Sequence, residues 1–167
     1  MSTGAKASLE EYLTASFDGA DPEYIDGRIV PRALPLYSHA KATARLASIF
    51  ARDRRHTQFF GALNLRLRLA ENRIRVADVA VFHEQEPTEQ IPSKPPFLVV
   101  EIVSPDDRHT DLVKKLEEYR AWGAGHVWLV DPWLRKLSVY DQSGLRTVDR
   151  FELRDVGVAI EPGELFD

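Results

Sequence analysis

Along this chain the spacing of apolar residues changes repeatedly, and each change marks a different element. Residues 8–16, "SLEEYLTAS", place Ser8 three residues before Glu11, the reciprocal capping pattern of a short opening helix. In "EYIDGRIV", residues 23–30, Asp26-Gly27 stands between two short apolar pieces and predicts a β-hairpin. From residue 38 to about 55, Ala42, Leu46, Ile49 and Phe50 fall on one face of an amphipathic helix. "FFGALNLRLRLA" and "RIRVADVAVF" alternate with period two on either side of Glu71-Asn72, as two antiparallel strands would. Residues 83–96 hold four prolines and three acids and read as a surface loop. The run "FLVVEIVSP", residues 97–105, is a strand buried on both faces and closed by proline. A helix then begins near Thr110 and ends at Gly123 or Gly125, with Leu112, Leu116 and Tyr119 as its buried stripe. "HVWLVDPWLRKLSVY" predicts two strands about an Asp131-Pro132 turn, and "RTVDRFEL" one more. The order of helices and strands defines an α/β class, a mixed α+β sheet flanked by helices, with one domain expected over residues 1–167.

Two residues break this patterning. Glu101 lies inside a run of Leu, Val and Ile, where an unpaired carboxylate costs several kcal/mol or becomes protonated. Asp78 shares its period-two face with Ile74, Val76, Ala80 and Phe82. The proline-rich loop between them can return the chain so that their strands lie side by side. Facing carboxylates repel unless a proton or a cation lies between them, and a divalent metal answers that need. The helix after Glu101 supplies Lys114 and Lys115. Lys115 lies one turn from Asp111 and from Tyr119, at the boundary of the buried stripe, where its ammonium could reach back to the Glu101 strand. An exposed position on a charged helix face is the simpler reading of a lone lysine. Two carboxylates with a lysine suit phosphodiester hydrolysis, in which a metal polarises the phosphate and activates water while the lysine steadies charge.

Composition narrows the chemistry. No cysteine is present, which excludes disulfides, thiolate zinc sites and cysteine nucleophiles, and leaves a hard cation such as Mg2+, with Mn2+ as a substitute. No apolar run approaches the roughly 18 residues of a spanning helix, and the opening residues lack a signal core, so a cytoplasmic protein is expected. The net charge of −4 does not advertise nucleic-acid binding. Local clusters do: "ARDRRH" at residues 51–56 and the alternating arginines of "LRLRLAENRIRV" form either a phosphate-facing patch or an ordinary solvated surface. His56, His83, His109 and His126 show no metal-ligand spacing.

The series "YIDGRIV", "RVADVAVF" and "FLVVEIVSPDDRHTDLVKKLEEYRAWGAGHVWLVDPWLRKLSVY" resembles the Uma-type bacterial restriction endonucleases, a branch of the PD-(D/E)XK nuclease superfamily, from about Glu23 to the C-terminal "GELFD". The resemblance implies a restriction-endonuclease-like core, with the first helix and hairpin as N-terminal additions, in which Asp78 is the motif's first acid and Glu101 its second. The proline expected before the first acid is Ala77 here. The lysine expected two residues after the second acid is replaced by Val103, and the Uma-type pattern carries it instead in the following helix, at Lys115. Glu23 and His39 also match the family pattern and are secondary candidates. Each is otherwise an ordinary polar residue at the end of an element.

The expected function is a Mg2+-dependent endonuclease acting on DNA, with Asp78 and Glu101 as metal ligands and Lys115 as the stabilising cation. A homodimer would suit double-strand cleavage, and Trp133 in the turn "DPWLRK" would serve such an interface or simply pack at the surface. The competing readings are a catalytically weak DNA-binding or regulatory module, favoured by Val103, and an interaction module without nucleic acid, favoured by the net charge.

Overall fold

The computed structural model describes residues 4–52 and 58–167. Helix α1 (Leu9–Thr14) carries the full capping box, with Glu11 N–H donating to Ser8 Oγ and Ser8 N–H donating to the Glu11 carboxylate. Strands β2 (Glu23–Ile25) and β3 (Arg28–Val30) form the expected hairpin, and a short β1 (Ala5–Lys6) pairs with β3. Asp26 and Gly27 have φ of 49° and 75°, the left-handed conformation that a type I′ turn demands. Helix α2 (Tyr37–Arg52) buries Ala42, Leu46 and Phe50, while Ile49 is half-buried. The remainder of the predicted span, and most of the basic run at 51–56, lies outside the described residues.

Strands β4 (Phe59–Ala70) and β5 (Arg73–His83) are paired along nearly their whole length. Beyond the proline-rich loop, β6 (Leu98–Ile102) pairs antiparallel with β5, so the chain returns beside the strand it left. Helix α3 (His109–Trp122) carries the chain over to β7 (His126–Asp131), which runs parallel to β6 as a helical crossover permits. Gly123 ends α3 with φ of 112°, a conformation that favours glycine. Strands β8 (Lys136–Asp141) and β9 (Gly144–Val148) complete a nine-stranded mixed sheet.

The segment "RTVDRFEL" departs from expectation. It holds parts of two strands, because the chain bends at Asp149 and Arg150, and β10 (Phe151–Leu153) leaves the main sheet to pair with β11 (Val158–Ile160). Packing drives the departure: Phe151 is fully buried and stacks on Trp128 with ring centroids 4.1 Å apart. A short helix α4 (Pro162–Phe166) follows.

The period-two reading also understated the burial of β5. Helix α2 and the β10–β11 hairpin close one side of the sheet, where Leu46, Phe50, Val79, Val81, Val100 and Trp128 pack together. Helix α3 closes the other, where Leu112, Leu116 and Tyr119 meet Ala80, Phe82 and Val99. With both faces covered, every β5 residue between its two ends is buried, whatever its polarity. Among the described residues no helix is long and apolar enough to cross a membrane.

Candidate active site

One edge of β5 is taken by β4. The other is shared: β2 pairs at Arg73 and Ile74, and β6 pairs only at 79–81. Between them lies a stretch of β5 edge without a strand partner. Buried backbone groups there must find other partners, and side chains supply them. Val76 N–H donates to Glu23 Oε1 at 3.0 Å, and Val76 C=O accepts from Lys115 Nζ at 2.9 Å.

Asp78 and Glu101 meet at this gap. The β5–β6 register pairs Val79 with Val100, and carried one residue further it sets Asp78 opposite Glu101. Both acids are buried. Lys115 is buried as well, contrary to the exposure that a lysine on a charged helix face would ordinarily have. Its ammonium lies 2.8 Å from Glu101 Oε2 and 2.8 Å from Glu23 Oε1. With the bond to Val76 C=O, all three of its donors are engaged. Tyr119 O–H donates to the other oxygen of Glu101 at 2.9 Å. Asp78 Oδ2 accepts from Ile102 N–H at 2.8 Å and lies 3.2 Å from His39 Nε2, while Oδ1 is held by Arg32 at 2.6 Å. His39 stands near the start of α2, its ring Nδ1 3.5 Å from the Thr43 hydroxyl.

The environments of the two acids differ. Burial pushes Glu101 up, and Asp78 adds to this; Lys115 only partly opposes them, leaving the carboxyl at about 7. Burial also disfavours the Asp78 anion, but the hydrogen bond from His39 and the charges of Lys115 and Arg32 outweigh it and lower the pKa. Glu23 is buried too, yet Lys115 and Arg75 bring it down to about 2. Lys115 is raised despite its burial because Glu101 and Glu23 flank it. Around neutral pH the cluster therefore holds one carboxyl poised to ionise.

All five candidate residues converge: Asp78, Glu101 and Lys115 at the centre, with Glu23 and His39 in direct contact with them. Sequence reasoning missed Arg32, which lies in an irregular segment where nothing marks it as a partner of Asp78. It also placed Tyr119 in the apolar stripe, although a buried tyrosine hydroxyl needs a partner, and that was a readable signal. Arg75 belongs to the same network, donating to Glu23 at 2.6 Å and to Glu118 at 2.8 Å.

The alternating arginines are largely committed to acids: Arg66 to Asp21, Arg73 to Asp26 and Glu118, and Arg75 to Glu23 and Glu118. Ser104 turns the chain through its backbone, its N–H donating to Asp107. His83 and His126 pack their rings against Phe97.

Among the described residues no three His, Cys, Asp or Glu side chains converge as a metal cage. The donors that do converge, the facing carboxylates of Asp78 and Glu101, are hard oxygen ligands, and a hard cation held by two carboxylates takes its remaining ligands from water or phosphate.

The architecture, a mixed sheet with helices on both faces, is a restriction-endonuclease-like fold. A crystal structure from Anabaena variabilis ATCC 29413, described as "a putative nuclease belonging to DUF820", superposes with a TM-score of 0.79 and 23% identity over 95% of this chain and 97% of that one. The Uma2 family model, described as "Putative restriction endonuclease", matches residues 9–162, and the chain belongs to that family. A comparison with curated proteins gives no match.

Proposed function

We propose that this protein is a Mg2+-dependent endonuclease that hydrolyses DNA phosphodiester bonds, with its site formed by Asp78, Glu101 and Lys115. The observation that carries the reading is the buried meeting of the two carboxylates, with a lysine ammonium 2.8 Å from one of them. Asp78 and Glu101 would hold the metal, and the Glu101 carboxyl would release its proton as it does so. When bound, the ion polarises the phosphate and lowers the pKa of an attacking water. Lys115 stands beside Glu101, where its fixed positive charge would steady the negative charge that develops on phosphate. Glu23 and the Val76 carbonyl fix the lysine in place, and Tyr119 fixes the carboxylate. His39 orients Asp78 from the opposite side. A homodimer suits cleavage of both strands, because a two-fold axis presents two identical sites to the duplex.

The test is cleavage of plasmid DNA with Mg2+ or Mn2+ by the wild type, Asp78→Ala and Glu101→Ala. Metal-dependent cutting that both substitutions abolish is the expected result, and full activity in Asp78→Ala would overturn it. A second reading, a nuclease-fold protein that binds DNA without cutting it, is favoured by Val103, which packs among the apolar residues under α3 at the position where the superfamily places its lysine. DNA binding without cleavage at any metal concentration would select it.

A further inference from the structure

Resting on the nuclease reading, we propose that Arg32 is an exchangeable counter-cation. It balances Asp78 until a divalent ion takes that carboxylate, and it then clamps the scissile phosphate.

Three basic groups touch the central acids, and they are held very differently. Lys115 projects from α3 and has every donor occupied. His39 lies within α2, backed by Thr43. Arg32 lies between β3 and α2, in a segment without helix or strand that Pro31 and Pro35 bracket. Its hold on Asp78 is through one of five donors. Its side chain is also the most exposed of the three, at 17% against 10% for Lys115 and 9% for His39.

These differences decide which group gives way. A divalent ion on Asp78 and Glu101 adds two positive charges beside a guanidinium already on Asp78, and like charges at that range repel strongly in a buried site. Lys115 cannot leave without stranding Glu23, Glu101 and the Val76 carbonyl. Arg32 can leave toward solvent, and its departure frees Asp78 Oδ1 as a ligand. Once free, its planar fork matches two phosphate oxygens, a pairing that a point-charge ammonium does not reproduce. The displaced group would then stand at the mouth of the site, where a phosphodiester approaches.

The experiment is calorimetric titration of MnCl2 into the wild-type protein, Arg32→Gln, Arg32→Lys and Asp78→Ala. It is paired with fluorescence anisotropy of a labelled DNA duplex in Ca2+ at increasing salt. Arg32→Gln should bind Mn2+ roughly tenfold more tightly than the wild type because the competing charge is gone. Its duplex binding in Ca2+ should lose about one unit of salt slope. Arg32→Lys should return Mn2+ affinity toward the wild type yet bind duplex less tightly, since it restores the charge without the fork. Mn2+ binding by Arg32→Gln alone, with none by the wild type, would be the extreme form of the same result. Equal or weaker Mn2+ binding by Arg32→Gln, with Asp78→Ala abolishing it, overturns the role of Arg32 and leaves the carboxylate site standing. An unchanged salt slope overturns the phosphate clamp. Failure of both the wild type and Arg32→Gln to bind Mn2+, or binding that survives Asp78→Ala, removes the metal-site reading and this proposal with it.

Discussion

Strand β5 contains two regions that are equally buried and differently made. Residues 79–81 are flanked by β4 and β6, covered on both faces, and filled by Val79, Ala80 and Val81. Residues 75–78 have β4 on one side and no strand on the other, and they hold Arg75 and Asp78 within the same hydrophobic strand. In the first region the ladder satisfies the backbone, and apolar contact stabilises the rest. In the second, Glu23 and Lys115 replace the missing strand, so charge neutralisation substitutes for apolar packing. The lesson is that a break in strand pairing, roofed by helices, creates a place where ionisable groups can be buried and still satisfied. Such a place perturbs pKa values, which is what chemistry needs.

The comparison breaks most sharply at Lys115. Lys115→Ala leaves Glu23 and Glu101 buried without their shared cation and should cost about 3–5 kcal/mol of unfolding free energy. That loss should shrink toward acid pH, where the stranded carboxylates can protonate, and urea unfolding at pH 5 and pH 8 would measure it. Leu98→Ala, in the apolar region beside Val81, should cost about 3 kcal/mol through cavity formation, with no such pH dependence. Equal pH sensitivity in both variants would erase the distinction between the regions.

A smaller effect concerns Glu101 itself. Its folded pKa of about 7 lies above the ordinary carboxylate value of 4.5, so the folded state binds the extra proton. The stability it contributes is fully present below 4.5 and is lost as pH rises through 7. Glu101→Gln should therefore flatten the decline of stability between pH 5 and 8, and an unchanged slope would place the titration elsewhere. Glu23 behaves in the opposite sense: its contribution is present above 4.5 and lost as pH falls toward 2.

Much of this was legible from local sequence. The Ser8–Glu11 capping box and the Asp26-Gly27 turn are decided within a few residues, and both form as read. Asp78 and Glu101 were visible because charge inside an apolar strand is anomalous wherever the chain folds. Lys115 was half legible: its spacing put it at the edge of the buried stripe, but its burial depends on a carboxylate fourteen residues away and another on a different strand. The departure of β10 from the main sheet was not legible, because it follows from the stacking of Phe151 on Trp128, a contact between distant segments.

The sequence alone was enough for helices α1 to α3, the hairpin and the strands from β4 to β8, for the two anomalous acids and for the family pattern, since these depend on periodicity, turn chemistry and residue type; it did not show β1, β11 or α4. Only the tertiary structure decided that β2 and β6 leave part of the β5 edge unpaired, that Glu23 and Lys115 fill it, and that Arg32 reaches Asp78. Those outcomes depend on which strands share an edge and on the charge balance of a buried volume, quantities that no local window contains.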